Sequence, residues 1–218
     1  AVFVATSGGG SRASMWSFLA MQHLNDRTNG ALMRHMNLGT GSSGGMIGLA
    51  YFRELYIQNI STEDKVMDMG KDILNPVIFN LAVNDLLIRS HKFEQNGELH
   101  WKDRGYIFEK QLHQNTDSVL VKKLGDDRNL ELSAGAPSLI LTPSILNDSR
   151  RLVVSNFPLR FLCTNNNENV DFQSFFSEND PNEVNYATLL RTNSSFPYVL
   201  PSVSLPTKPQ IEVFDSGL

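Results

Sequence analysis

The sequence predicts an α/β fold, a sheet with helices on its faces, from two observations. In the first 60 residues a short strand-like run passes through a glycine turn into an apolar helical stretch, and does so twice. In the second half, Ser138 to Thr142, Arg151 to Val154 and Ile211 to Phe214 read as further short strands.

Val2 to Thr6 is β-branched and runs into Ser7-Gly8-Gly9-Gly10-Ser11-Arg12, so a buried strand feeding a tight loop is expected. A helix follows from Ala13 to Asp26, with Met15, Phe18, Leu19 and Leu24 spaced toward one face and Asn29-Gly30 as its stop. The second strand is expected within Leu32 to Leu38, and a largely buried helix from Met46 through Ile57. Thr62 to Leu124 reads as several short helices broken by Pro76, Asn96-Gly97 and Gly105. The strand candidates Ser138 to Thr142 and Arg151 to Val154 pair as a hairpin through Asn147-Asp148-Ser149. Asn165 to Asn169 is a polar loop, Glu183 to Leu190 a short helix, and Phe196 to Pro209 a proline-punctuated extended stretch. Ile211 to Phe214 then forms a last strand that ends at Asp215.

A chain of 218 residues with 41% hydrophobic content is large enough for one core, and no linker divides it, so residues 1–218 are expected to form one domain. A net charge of -4 without a basic stripe argues against a nucleic-acid partner. Cys163 is the single cysteine, which excludes an internal disulfide framework and a thiolate metal site and leaves the compartment open. No apolar run is long enough for a membrane helix and no signal peptide opens the chain, so a soluble domain is expected. Neither end has the polar fraying of a natural terminus, which suggests a piece of a longer polypeptide.

The chemistry concentrates in three places. Gly41-Ser42-Ser43-Gly44-Gly45 fits G-x-S-x-G between a strand candidate and an apolar helix, the context in which a sharp turn exposes a serine at a helix N-terminus. Read blandly, the same five residues are a flexible turn; the flanking elements favour a nucleophile at Ser43. A serine needs a base. His91, His100 and His113 could meet the order serine, acid, histidine with Asp64 or Asp85, but they lie in polar, helical surroundings with nothing to place them beside Ser43, and surface or capping roles suit them better. Asp215, at a strand end before Ser216-Gly217, could act on the serine directly. Gly8-Gly9-Gly10, without side chains between strand and helix, can converge several N–H groups on one oxygen as an oxyanion hole, or can be no more than a tight connection. Arg12 is either an anion contact or a support for that loop.

Ser7-Gly8-Gly9-Gly10-Ser11-Arg12, Gly41-x-Ser43-x-Gly45 and Asp215-x-Gly217, in this order, resemble the three blocks of the patatin-like phospholipases, and the first block also resembles that of the related group IV cytosolic phospholipases. The similarity spans nearly the whole chain, including Pro137 to Asn156 and Ser194-Ser195-Phe196-Pro197. The resemblance implies a three-layer fold with a central, mostly parallel sheet flanked by helices. Ser43 would stand on a nucleophile elbow between Gly41 and Gly45, in a Ser43–Asp215 dyad, with Gly8, Gly9 and Gly10 as oxyanion donors. The implied activity is hydrolysis of fatty-acyl esters of phospholipids, lysophospholipids or neutral lipids at a membrane or micelle surface, with no metal and no cofactor. This chain departs from the pattern at Ala13, where many members have glycine, and at Ser216, which replaces the usual glycine after the aspartate; family members also continue well past the aspartate motif.

Two other classes compete. Gly8-x-Gly10-x-x-Ala13 satisfies a loose dinucleotide-binding fingerprint, but Gly30 to Leu38 holds no acidic residue for a ribose, and that reading leaves Ser43 and Asp215 idle. A non-catalytic lipid-binding domain of the same fold is disfavoured by the presence of both dyad residues. Ile73, Pro76, Val77, Ile78, Phe79, Leu81 and Leu86 offer apolar surface for an acyl chain, as do Phe175 and Phe176, and core packing explains each stretch equally well.

Overall fold

The computed structural model describes residues 1–83, 92–95, 98–101, 103–163, 168–177 and 179–216, with the backbone alone for 92–95 and 98–101. Strand β1 (Val2–Thr6) leads through the glycine loop into α1 (Gly10–Arg27); α2 (Ala31–His35) precedes β2 (Met36–Gly41), and α3 (Ser43–Ile57) follows at once. Short helices α4 (Val66–Gly70) and α5 (Leu74–Asn80), an antiparallel strand pair β3 (Lys92–Gln95) and β4 (Glu98–Trp101), α6 (Arg104–Asn115) and α7 (Arg128–Leu132) come next. The chain closes with β5 (Ser138–Leu141), β6 (Ser144–Ile145), β7 (Arg151–Val153), β8 (Asn169–Asp171), α8 (Tyr186–Thr192), β9 (Val203–Leu205) and β10 (Ile211–Phe214).

β1, β2 and β5 form a parallel sheet in that order, with Thr6 beside Gly41 and Gly41 beside Leu141. Residues that pair in a parallel ladder share a face. Gly39, Leu139 and Leu141 are buried on the face that packs against α3, where Leu49 approaches Gly39. On the other face Phe3 is 71% exposed and Leu38, Thr40 and Ile140 are half-buried.

The second sheet has the order β8-β7-β6-β10-β9 and is antiparallel except for β7 with β8. A two-way bond between Leu141 and Val154 joins it to β5, Leu141 donating at 3.0 Å and Val154 at 2.9 Å. The expected mostly parallel sheet is therefore parallel only in its first half. The connections from β5 to β6 and β6 to β7 are a few residues long, and short connections allow only antiparallel neighbours. The expected hairpin over 147–149 is present, but β6 rather than β5 supplies its first strand.

Other elements also differ from expectation. Leu32 to His35 is helical, because Gly30 takes a left-handed φ of 76° and the Thr28 hydroxyl and Asn25 side chain accept the N–H groups of Leu32 and Met33. Pro76 and Gly105 sit inside the first turns of α5 and α6, where a missing or unpaired N–H costs nothing; Asp72 and Asp103 cap those turns. Asn96-Gly97, Asp85, Leu86 and His91 lie outside the described residues. On α1, Phe18 and Met21 are buried as a helical stripe requires, but Leu19 and Leu24 are 40% and 49% exposed. The buried side of α1 is carried instead by Ser14 and Ser17, which donate to the carbonyls of Gly44 (2.7 Å) and Gly45 (2.9 Å). Small residues on both helices set this close crossing: a Cβ on Gly48 would lie 2.1 Å from the Ser14 carbonyl oxygen.

The far end of α3 is anchored by buried charge. Arg53, 1% exposed, donates to Glu54 (2.5 Å), Asp127 (2.7 Å), Glu131 (2.6 Å) and the Pro137 carbonyl (2.7 Å), and Lys122 pairs with Glu54 and Asp127. Three carboxylates thus face two cations. Burial pushes Glu131 from an ordinary value near 4.5 up to about 7, against the pull of Arg53. Side-chain hydrogen bonds from Asn156 and Ser138 pull in the same direction as Arg53, and burial outweighs all three. A carboxyl whose folded pKa is raised contributes stability in full below pH 4.5 and loses it as pH rises to about 7, of order 3 kcal/mol here. Urea unfolding of the natural protein and Glu131→Gln across that window should show the natural protein losing stability relative to the variant; a constant difference would contradict the assignment.

Candidate functional site

Ser43 stands where β2 turns into α3. The preceding Ser42 is extended (φ -113°, ψ 146°) and Ser43 itself has φ 47°, a left-handed conformation that a non-glycine residue holds only under constraint. The neighbours allow this turn because they have no side chains. A Cβ on Gly41 would lie 2.0 Å from the Thr6 hydroxyl, one on Gly44 1.9 Å from the Gly10 carbonyl oxygen, and one on Gly45 2.1 Å from the Ser7 carbonyl oxygen. The turn and the glycine loop are thus packed backbone on backbone.

Gly8 to Gly10 form that loop, with Gly9 at φ 140° and Gly10 at φ 60°. Any side chain at Gly8 would meet the Ser43 Cβ at 3.3 Å, so the loop runs directly past the serine. Among the described residues no hydrogen bond takes up the N–H groups of Gly8, Gly9 or Gly10, and all three residues are exposed. An oxygen bearing negative charge beside Ser43 would find donors there, with the positive end of α1 behind them. Arg12 is exposed, and among the described residues its side chain makes neither ion pair nor hydrogen bond, so neither role considered for it has a contact in the structure.

Asp215 follows β10 and is 6% exposed. Leu141 pairs with Gly41, and three residues later Ser144 pairs with Phe214, so the ends of β2 and β10 meet along one rim of the sheets. A second link is closer still. The Ser43 N–H donates to the Asn193 carbonyl at 2.8 Å and the Asp215 N–H to the Ser195 carbonyl at 3.3 Å. Serine and aspartate therefore hang from one three-residue stretch after α8. Gly217 lies outside the described residues.

His113 is in the last turn of α6, half-buried; burial lowers its pKa, and its Nε2 has no hydrogen-bond partner among the described residues. No group of three His, Cys, Asp or Glu side chains among the described residues could hold a metal ion, and no helix there is long and apolar enough to cross a membrane. Of the apolar candidates, Val77 is core, Phe175 and Phe176 pack on it, and Ile78 and Phe79 are 51% and 65% exposed. A cavity of about 530 Å³ opens among Asn25, Phe52, Tyr56, Ile60 and Leu130, at the opposite end of α3 from Ser43.

No protein-family model and no curated protein matches the chain. Among solved structures it is similar to VipD from Legionella pneumophila, over 99% of this chain and 45% of that one, at 10% identity and TM-score 0.47. It is also similar to human GIVD cytosolic phospholipase A2, solved with methyl gamma-linolenyl fluorophosphonate and terbium chloride, over 72% of this chain and 23% of that one, at 18% identity and TM-score 0.40. Both likenesses are distant, and the chain spans less than half the length of either.

Sequence reasoning passed over Asn193. Its amide bridges Gly41 (Nδ2 to carbonyl, 2.8 Å) and Thr142 (N–H to Oδ1, 3.1 Å), and it is fully buried. The available signal was the run Thr192 to Ser195, four small polar residues between an apolar helix and Pro197. For the turn itself, Gly44→Ala should destabilise the protein by about 1–3 kcal/mol in urea unfolding, because two backbones must separate. Gly135→Ala, whose Cβ would meet nothing nearer than 3.4 Å, should leave stability unchanged.

Proposed function

We propose that the chain is a serine acyl hydrolase of patatin-like phospholipase type, acting on fatty-acyl esters of phospholipids, lysophospholipids or neutral lipids. The observation that carries this reading is the positive φ of Ser43 at a strand-to-helix turn, beside the Gly8–Gly10 loop, which we read as a nucleophile elbow. Asp215, held from the same stretch as Ser43, is the base.

In the reaction, the Ser43 hydroxyl attacks the ester carbonyl carbon and passes its proton to Asp215. The carbonyl oxygen becomes an oxyanion that accepts hydrogen bonds from Gly8, Gly9 and Gly10, and its collapse expels the alcohol with the proton from Asp215. Water, deprotonated by the same aspartate, then cleaves the acyl-serine ester and releases the fatty acid. A carboxylate base needs neither metal nor cofactor for these steps. Phe196, 62% exposed and next in sequence to Ser195, offers apolar surface that would suit an acyl chain drawn from a membrane or micelle.

Incubation of the full natural chain with an alkyl fluorophosphonate, followed by peptide mass mapping, should locate the adduct on Ser43. Ser43→Ala should abolish it and Asp215→Asn should slow it by about 10³- to 10⁴-fold, with parallel losses on long-chain p-nitrophenyl esters. A folded protein that takes no label, or takes it elsewhere, would sink the reading.

A further inference from the structure

The stretch after α8 is unusual in being polar and buried at once. Thr192, Asn193 and Ser195 are 0% exposed and Ser194 8%. Such a stretch is held in place by its hydrogen bonds, and their destinations divide cleanly. The hydroxyls of Thr192, Ser194 and Ser195 turn back onto α8, donating to the carbonyls of Leu189 (2.6 Å), Leu190 (2.7 Å) and Arg191 (2.8 Å). They serve the helix end. The carbonyls of Asn193 and Ser195 face the other way, toward Ser43 and Asp215.

Asn193 makes three hydrogen bonds to two segments of the site, the turn 41–43 and Thr142. Its carbonyl accepts from Ser43, its Nδ2 donates to the end of β2 at Gly41, and its Oδ1 accepts from Thr142, just past β5. We infer that Asn193 is a positioning residue that holds Ser43 in its left-handed turn and sets its placement relative to Asp215, an inference that rests on the hydrolase reading. The position demands a donor and an acceptor on one short fork. Aspartate offers no donor when ionised, alanine offers neither, and glutamine is a methylene too long for a site without free space.

The test uses the full natural chain and its Asn193→Ala and Asn193→Asp variants, with Ser43→Ala as the blank. Rates of labelling by an alkyl fluorophosphonate are measured from about pH 8 to about pH 6 alongside thermal unfolding. Asn193→Ala should label about 100-fold more slowly, since the serine loses its placement while the hydroxyl remains. In Asn193→Asp the new carboxyl keeps the acceptor for Thr142 but faces the Gly41 carbonyl. Burial favours its protonated form, which can donate to Gly41 again, so the ratio of variant to natural rate should climb roughly 10-fold as pH falls.

A residue that only fills space would give a ratio independent of pH. A flat ratio for Asn193→Asp, or an Asn193→Ala rate within about threefold of the natural one, overturns the inference and leaves the hydrolase reading standing. If Asn193→Ala does not fold, the pH dependence of Asn193→Asp decides. A natural chain that takes no label overturns both.

Discussion

The site depends on the close approach of two backbones. The first turn of α3 lies against the Ser7–Gly10 loop with no room for a single Cβ at Gly44 or Gly45, and Ser14 and Ser17 bind the carbonyls of those two glycines from α1. A serine hydroxyl and a row of unclaimed N–H groups can be neighbours only if the elements carrying them are this close. The requirement propagates outward: Gly48 continues the contact one turn on, and the rings of Phe18, Tyr51 and Phe52 close the same helix pair with centroids 5.5 Å apart. Gly41 extends it into the sheet against Thr6.

That approach leaves Ser43 in a conformation that costs about 1–3 kcal/mol. The three hydrogen bonds of Asn193, at about 1 kcal/mol each, are of the right size to offset it. At the other end of α3 the buried Arg53 and Lys122 are tied to three carboxylates, so the helix is fixed from both sides. Such a network is held by geometry rather than by net gain, because the desolvation of its buried charges consumes most of their attraction.

The parts that could be read from the sequence are those whose cause is local. Gly9, Gly10, Gly41, Gly44 and Gly45 mark positive φ or close backbone approach, and the strands at Val2–Thr6 and Ile211–Phe214 form where their patterns indicate, though Val2–Thr6 was expected to be buried and lies at the sheet edge with Phe3 71% exposed. Local cap chemistry was also present at Thr28, Gly30, Asp72 and Asp103, yet apolar spacing and breaker residues outweighed it, and the elements there came out differently. The stripe of α1 was misjudged for a tertiary reason: the helix faces glycines, so serines rather than Leu19 or Leu24 fill its contact face. Asn193 was invisible for the same kind of reason. A polar residue at a helix end is ordinary until the fold buries it against two other segments, the turn 41–43 and Thr142.

A crystal structure of the full natural chain, read at the Ser43 Oγ and the Asp215 carboxylate, tests the account most directly. Two groups hung from Asn193 and Ser195 should lie within hydrogen-bond reach, about 2.6–3.2 Å, or be joined through one water. A separation too wide for one bridging water, with the stretch 193–195 in place, would contradict it.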